Sequence, residues 1–276
     1  MLGSFLLTLR EGFEATLLVA IVLAYLAKVG HGGEARKVWY GVAAAVLLSL
    51  GVAGALFAVD AELEGAAEAV FEGAAMWLAV VFLTYMILWM GRQARSVSRG
   101  IREDLDRALK KGGVIALASL SFVMVFREGL ETALFMFGVT QVASPAAVAV
   151  GGVLGLAAAV GLGFAVYAGG RRIDLGKFFK VTGVLLLVVA AGLLAHGVAE
   201  FEEAGLLPES LQPLWNLSGV SLLSEESVVG QFLGTFFGWN PAPDLLEFGV
   251  WAVYLLVIGY AFLRPAPAHG ARVSTG

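Results

Sequence analysis

The sequence predicts an all-α polytopic membrane protein of about seven transmembrane helices, and three observations carry that expectation. Of 276 residues, 59% are hydrophobic and only 14% charged, with mean hydropathy +0.86. Soluble domains run near 45–50% apolar and about 25% charged. The apolar residues are gathered into runs of the length that a hydrocarbon core of about 30 Å requires, roughly 20 residues per helix. The basic residues are sorted onto alternate connections between those runs. A soluble globule of this size lacks the polar surface to cover itself, so a soluble enzyme, a nucleic-acid binder and a disordered chain are excluded. The absence of cysteine excludes disulfides, thiolate metal cages and iron–sulfur clusters.

The runs are taken in chain order. Leu2–Ala27 is apolar except for Arg10, Glu11 and Glu14 and gives a first span over 2–27. It is not a cleavable signal peptide, because it lacks a basic leader and charges interrupt the apolar stretch. Val38–Val59 contains no charge and gives a second span over 37–59; Gly73–Gly91 gives a third over 66–90. Gly113–Val139 is interrupted only by Arg127, Glu128 and Glu131 and gives a fourth over 113–139. The uncharged stretch Thr132–Gly170 is too long for one span. Ser144-Pro145 within it reads as a turn followed by a proline-started helix, giving a fifth span over 145–168. Val181–Ala199, uncharged apart from His196, gives a sixth over 181–200, and Leu245–Leu263 a seventh. The expected organisation is one transmembrane domain over 1–263. Repeat one covers about 2–90, repeat two about 113–200, an outer loop about 201–244 and the seventh helix about 245–263, with a cytoplasmic tail over 264–276.

Orientation follows from lysine and arginine in short loops. Lys28, Arg36 and Lys37 lie between spans 1 and 2. Arg92, Arg95, Arg99, Arg102, Arg107, Lys110 and Lys111 lie between spans 3 and 4. Arg171, Arg172, Lys177 and Lys180 lie between spans 5 and 6, and Arg264 and Arg272 follow span 7. The other two of the 18 basic residues, Arg10 and Arg127, lie within spans. The expected N-terminus is therefore outside and the C-terminus cytoplasmic. The outer side is acidic, with Asp60, Glu62 and Glu64 before span 3 and Glu200, Glu202, Glu203, Glu209, Glu225, Glu226, Asp244 and Glu247 in or beside the last outer loop. Trp215, Phe232, Phe236, Phe237 and Trp239 suggest short interfacial or re-entrant helices in that loop. The basic segment 91–112 places Ile101, Leu105 and Leu109 at helical spacing, which suits an amphipathic helix anchored on lipid headgroups or serving a regulatory role.

The two interrupted spans carry nearly the same word: Leu9–Leu17 reads LREGFEATL and Phe126–Leu134 reads FREGLETAL. Span 1 runs inward and span 4 outward, so spans 1–3 and 4–6 are expected to form an inverted repeat. At about 100° per residue, Arg10, Glu14 and Glu11 fall near 0°, 40° and 100°, and Arg127, Glu131 and Glu128 repeat the pattern. Gly12 and Gly129 fall near 200°, where a small residue lets a neighbouring helix approach. A charge at a helix centre costs about 2.5–3.5 kcal/mol on insertion scales. Two arginines and four glutamates leave the motifs at a net −2, so mutual pairing cannot be complete and protons or a cation must supply the balance. Glu11, Glu14, Glu128 and Glu131 offer an all-oxygen site suited to iron, manganese, magnesium or calcium. Arg10 and Arg127 are expected to pair with the carboxylates and to weaken binding enough for release. Glu64, Glu68 and Glu72, spaced i, i+4, i+8, and His196, Glu200 and Glu203 form the expected outer vestibule. A solvated helix end accounts equally well for Glu64, Glu200 and Glu203, and a hydrogen-bonded packing role for His196.

At these residues the sequence resembles the high-affinity iron permeases, the oxidase-dependent iron transporters of fungi and bacteria. Arg10-Glu11-Gly12-Phe13-Glu14 and Arg127-Glu128-Gly129-Leu130-Glu131 look like the duplicated Arg-Glu-Gly-Leu-Glu signature of that family. Phe71-Glu72-Gly73 through Leu83-Thr84-Tyr85-Met86 to Trp89-Met90 resembles its third helix. Phe13 departs from the usual leucine, on the side away from the carboxylates. The resemblance implies a permease rather than an enzyme, importing iron across the cytoplasmic (inner) membrane. It implies ferric ion delivered by an extracytoplasmic ferroxidase, peroxidase-like or cupredoxin-like partner, with iron as cargo and no permanent cofactor. Glu68 and Glu72 are expected to collect iron and pass it to Glu11, Glu14, Glu128 and Glu131. The carboxylates alone equally support a transporter or proton-coupled exchanger for manganese, calcium or magnesium. An intramembrane iron oxidase is a poorer fit, since di-iron bundles use Glu-x-x-His on two helices and no histidine stands at that spacing here. No nucleic-acid partner is expected, and membrane lipids are.

Overall fold

The computed structural model describes residues 1–93, 97–167, 174–208, 213–223, 227, 229–230, 233–234 and 238–264. Seven long helices are formed among them: α1 (Leu2–Lys28), α2 (Ala35–Asp60), α3 (Ala66–Gln93), α4 (Val97–Gln141), α5 (Pro145–Tyr167), α6 (Leu175–Glu203) and α7 (Leu245–Leu263). Six are long and apolar enough to cross a membrane. The exception is α1, because every 18-residue stretch of it contains three charged residues. It is instead enclosed by α4, α5 and α6.

The helix limits follow local chemistry. α4 is broken at Gly113, whose φ of 61° and ψ of −150° divide a helical basic segment from the apolar span. Only glycine adopts that backbone region without strain. α6 begins at Leu175, a turn and a half before the expected start. Asp174 caps it by accepting from the Lys177 amide, and long lysine stems at 177 and 180 reach the interface. α7 opens with a reciprocal capping box between Asp244 and Glu247. In the outer loop, the described residues include short helical pieces at 229–230 and 233–234. Glu209, Glu225, Glu226, Phe232, Phe236 and Phe237 lie outside the described residues, as do Arg95, Arg171, Arg172 and Arg272. The side chains of Ile101, Leu105 and Leu109 are likewise outside them.

Packing rests on rows of small residues. α5 presents Gly151, Gly155, Ala159 and Gly163 to Ser4, Thr8, Gly12 and Thr16 of α1, in step and in the same direction. α2 presents Gly41, Ala45 and Ser49 to Ala118, Val125 and Gly129 of α4, again in step. A Cβ added at Gly155 would collide with Thr8 Oγ1 and the Phe5 carbonyl, so these backbones meet only because no side chain intervenes. The hydroxyls bond within their own helices, Thr8 to Ser4 O at 2.8 Å and Ser49 to Ala45 O at 2.9 Å. They therefore behave as small groups that hydrocarbon tolerates.

α1 and α4 are antiparallel: Glu11 lies by Glu128, Val19 by Val125, and Leu26 with Leu117. α3 and α6 form a second antiparallel pair, with Gly73 on Phe201, Trp77 on Gly197 and Ile87 near Gly183. Exchanging residues 1–93 with 97–203 preserves this pattern, since α1 on α5 becomes α4 on α2 and the two antiparallel pairs map onto themselves. α7 has no counterpart. It packs on α6 and α3, where Tyr254 and Thr84 share a hydrogen bond of 2.7 Å.

Candidate metal site

The antiparallel crossing of α1 and α4 brings the two charged words face to face. Glu11, Glu128 and Glu131 each offer a carboxylate oxygen, all within 4.8 Å of one another. Cation–oxygen distances of about 2.0–2.6 Å put opposed ligand oxygens roughly 4–5 Å apart, so this spacing suits one shared ion. Glu11 and Glu128 are 1% and 3% exposed. Both Glu11 oxygens, Glu128 Oε2 and Glu14 Oε1 are buried without a hydrogen-bond partner. Carboxylates so enclosed are stable only with compensating charge.

The arginines supply part of it. Arg10 lies 3.8 Å from Glu11 and 3.4 Å from Glu14, and Arg127 lies 2.8 Å from Glu128 and 3.3 Å from Glu131. The arginines otherwise differ. Arg10 is 1% exposed, whereas 61% of the Arg127 side chain is open. Six inward-facing charges were expected, and Arg127 departs from that because its face of α4 is left uncovered. Glu14 stands outside the group of three and is paired with Arg10. Gly12 and Gly129 sit where the helical angles put them, against Ala159 of α5 and Ser49 of α2.

Beside the trio lies a cavity of about 580 Å³ between α2 and α5, with Glu11 and Glu128 among its lining residues. Thr8, Ser49, Thr132 and Thr140 contribute its hydroxyls, and the walls are apolar. Low polarity around the carboxylates strengthens their attraction for a cation.

The outer acids gather separately. Glu72 is within electrostatic reach of Glu68, Glu200, Glu203 and Asp60. Asp60, at the end of α2, accepts from the Gln141 amide at 3.4 and 3.5 Å, joining α2 to the end of α4. Sequence reading missed this pair, and only its position at the outer ends of two spans hinted at it. Glu64 is exposed in the turn ahead of α3, where Gly65 has φ 60°. The helical face therefore holds Glu68 and Glu72 but not Glu64. His196 meets the Gly192 carbonyl at 2.9 Å through Nδ1 and lines a different cavity, about 410 Å³, with Trp215, Trp239, Glu247 and Trp251. Three rings cluster beside the outer acids. Phe137, fully buried, has its centroid 5.3 Å from Phe57 and 5.6 Å from Phe71.

Comparison with known proteins adds to this geometry. The profile described as the iron permease FTR1 family matches residues 1–266. A protein named ferrous iron permease EfeU from Escherichia coli O6:H1 is 38% identical over 272 residues, covering 98% of both chains. One of the same name from Shigella sonnei is 38% identical with the same coverage. One from Yersinia pestis is 35% identical over 273 residues, covering 98% of this chain and 96% of its own. No solved structure matches the chain.

Proposed function

The chain belongs to the iron permease FTR1 family, and from that premise we propose that it imports iron across the cytoplasmic membrane through the paired motifs of α1 and α4. It is a multi-pass membrane transporter, not an enzyme. The observation that carries the site is the trio Glu11, Glu128 and Glu131, with oxygens within 4.8 Å of one another, Glu131 partly exposed, and Glu11 and Glu128 buried with unpartnered oxygens. In this reading the N-terminus is outside, as the sorted basic residues require.

Iron gathers at Glu68, Glu72, Glu200, Glu203 and Asp60 on the acidic side. It then passes to the trio, where iron is cargo rather than a resident cofactor. Glu14 joins as a fourth ligand when Arg10 turns from it, and both arginines re-pair with the carboxylates as the ion leaves. Glu64 and His196 serve the outer approach at a greater distance from the path. The ion is ferric, delivered by an extracytoplasmic oxidase, peroxidase-like or cupredoxin-like partner, as the family resemblance implies.

A second reading, that ferrous ion itself is carried, is favoured by two observations. The relatives are named for ferrous iron, and the motifs' net −2 balances a dication without further acid. Uptake of radiolabelled iron into vesicles tests both. Loss of uptake in Glu11→Ala and Glu131→Ala is expected, and unchanged uptake removes the site. Uptake under anaerobic, reducing conditions equal to that with an added oxidase removes the ferric reading. Excess manganese or calcium that suppresses iron uptake would replace iron as the preferred ion.

A further inference from the structure

On the acidic side of the trio Phe137 is fully buried between two other rings, while the cavity that Glu11 and Glu128 line continues past it to Thr140 and Pro145. Phe57 of α2 and Phe71 of α3 each meet Phe137 of α4 edge to face, close to Asp60 and Glu72 in their own helices. Phe137 is six residues, about 9 Å of helix, beyond Glu131.

The opposite face of α4 is open. Ile115 is 71% exposed, Ser119 exposed, Val123 60% and the Arg127 side chain 61%. These residues recur every fourth position from near the Gly113 break to the motif, about 18 Å of helix. The cavity between α2 and α5 meets α4 through Val125, Gly129, Thr132 and Met136. At about 100° per residue these fall on the half of the helix away from Arg127. Arg127 thus spans a boundary, with its stem on the open face and its guanidinium on Glu128 and Glu131.

An arginine near the middle of a membrane helix does not face hydrocarbon when water is the alternative, given the cost of a charge there. We propose that the Ile115–Ser119–Val123–Arg127 face lines a water-filled crevice leading from the trio toward the basic side, by which the ion leaves. This rests on the reading of the trio as the iron site. Arg127 is a positioning residue at the head of the crevice: it neutralises Glu128 and Glu131 and must move for an ion to pass.

The chain has no cysteine, so single substitutions report without background. Ser119→Cys and Val123→Cys are placed in inside-out vesicles, with Leu47→Cys on α2, 69% exposed, as the lipid-facing control. A charged, membrane-impermeant thiosulfonate reacts with the thiolate, which hydrocarbon disfavours, so lipid-facing positions label roughly hundredfold more slowly. The crevice requires S119C and V123C to label at that higher rate. Labelling as slow as L47C overturns it. Ferrous and ferric salts are then added before the reagent. Protection of V123C supports the trio as the site feeding this crevice, whereas fast labelling without protection keeps the crevice and overturns the iron-site reading.

Discussion

Replacing Glu11 with glutamine separates the three-carboxylate site from the four equivalent carboxylates that the motif suggests. Glutamine keeps the size and one carbonyl donor and removes one charge. Glu11 is in the group within 4.8 Å and Glu14 is not. Unit charges about 4 Å apart attract by about 4 kcal/mol at an effective dielectric near 20, while doubling the separation halves that. Taking one unit of attraction as lost, Glu11→Gln weakens iron binding by about 4 kcal/mol, close to a thousandfold at about 1.4 kcal/mol per decade. Glu14→Gln, farther from the ion while Arg10 holds it, costs about 2 kcal/mol, roughly thirtyfold. Repulsion among the other carboxylates is present with and without the ion and largely cancels. The assay is iron titration of purified protein alongside half-saturation of uptake in vesicles at matched protein amount. Thermal melting without iron separates folding from binding, since Glu11→Gln also removes the buried pairing with Arg10 at 3.8 Å. A loss in Glu14→Gln equal to or greater than that in Glu11→Gln refutes the reasoning.

Other perturbations test the scaffold and the approach. Gly155→Leu drives a side chain into Thr8 and the Phe5 carbonyl and is expected to cost at least about 1–3 kcal/mol, read as a lower melting temperature in detergent. Gly54→Leu, with nothing within 4 Å of its added Cβ, leaves melting and uptake unchanged. Tyr254→Phe removes the 2.7 Å hydrogen bond to Thr84 and costs about 0.5–1.5 kcal/mol, with melting lowered and the half-saturating iron concentration unmoved. Asp60→Asn lowers uptake at scarce iron and recovers at abundant iron, because it weakens collection and leaves the trio intact; a reduced maximal rate contradicts that division.

Much of the fold was legible because hydrocarbon imposes a crude and strong rule. Apolar runs, two of them interrupted by charges, gave all seven helices, and the pair Ser144-Pro145 divided α4 from α5. Charge-free runs cannot register lysines that reach outward from a helix, which is why α6 starts before its apolar run. The rows Gly41-Ala45-Ser49 and Gly151-Gly155-Ala159-Gly163 stood in the sequence at every fourth residue. A count of apolar residues does not distinguish faces, so only contact shows that these rows bring α2 onto α4 and α5 onto α1. The duplicated words identified Glu11, Glu128 and Glu131. Nothing local separated Glu11 from Glu14, since that difference depends on where the antiparallel helix sets its own carboxylates. Asp60 and Gln141 are 81 residues apart and meet only through the packing of α2 on α4.

The two motif copies differ in surroundings more than in sequence. Phe13 stands where the second copy has Leu130, and its ring meets Phe178 at 4.8 Å and Phe179 at 6.4 Å, tying α1 to α6. α6 is in turn backed by α7, which has no counterpart in the repeat. One arginine is therefore sealed in a packed layer while its counterpart stays on an open face. A fully symmetric pair of sealed arginines would hold the carboxylates neutral from both sides with no way past either. A pair of open ones would leave the trio hydrated and weaken its attraction for a cation. Unequal enclosure of near-identical words meets both requirements, because Arg10 fixes the geometry of the carboxylates and Arg127 retains the freedom to move.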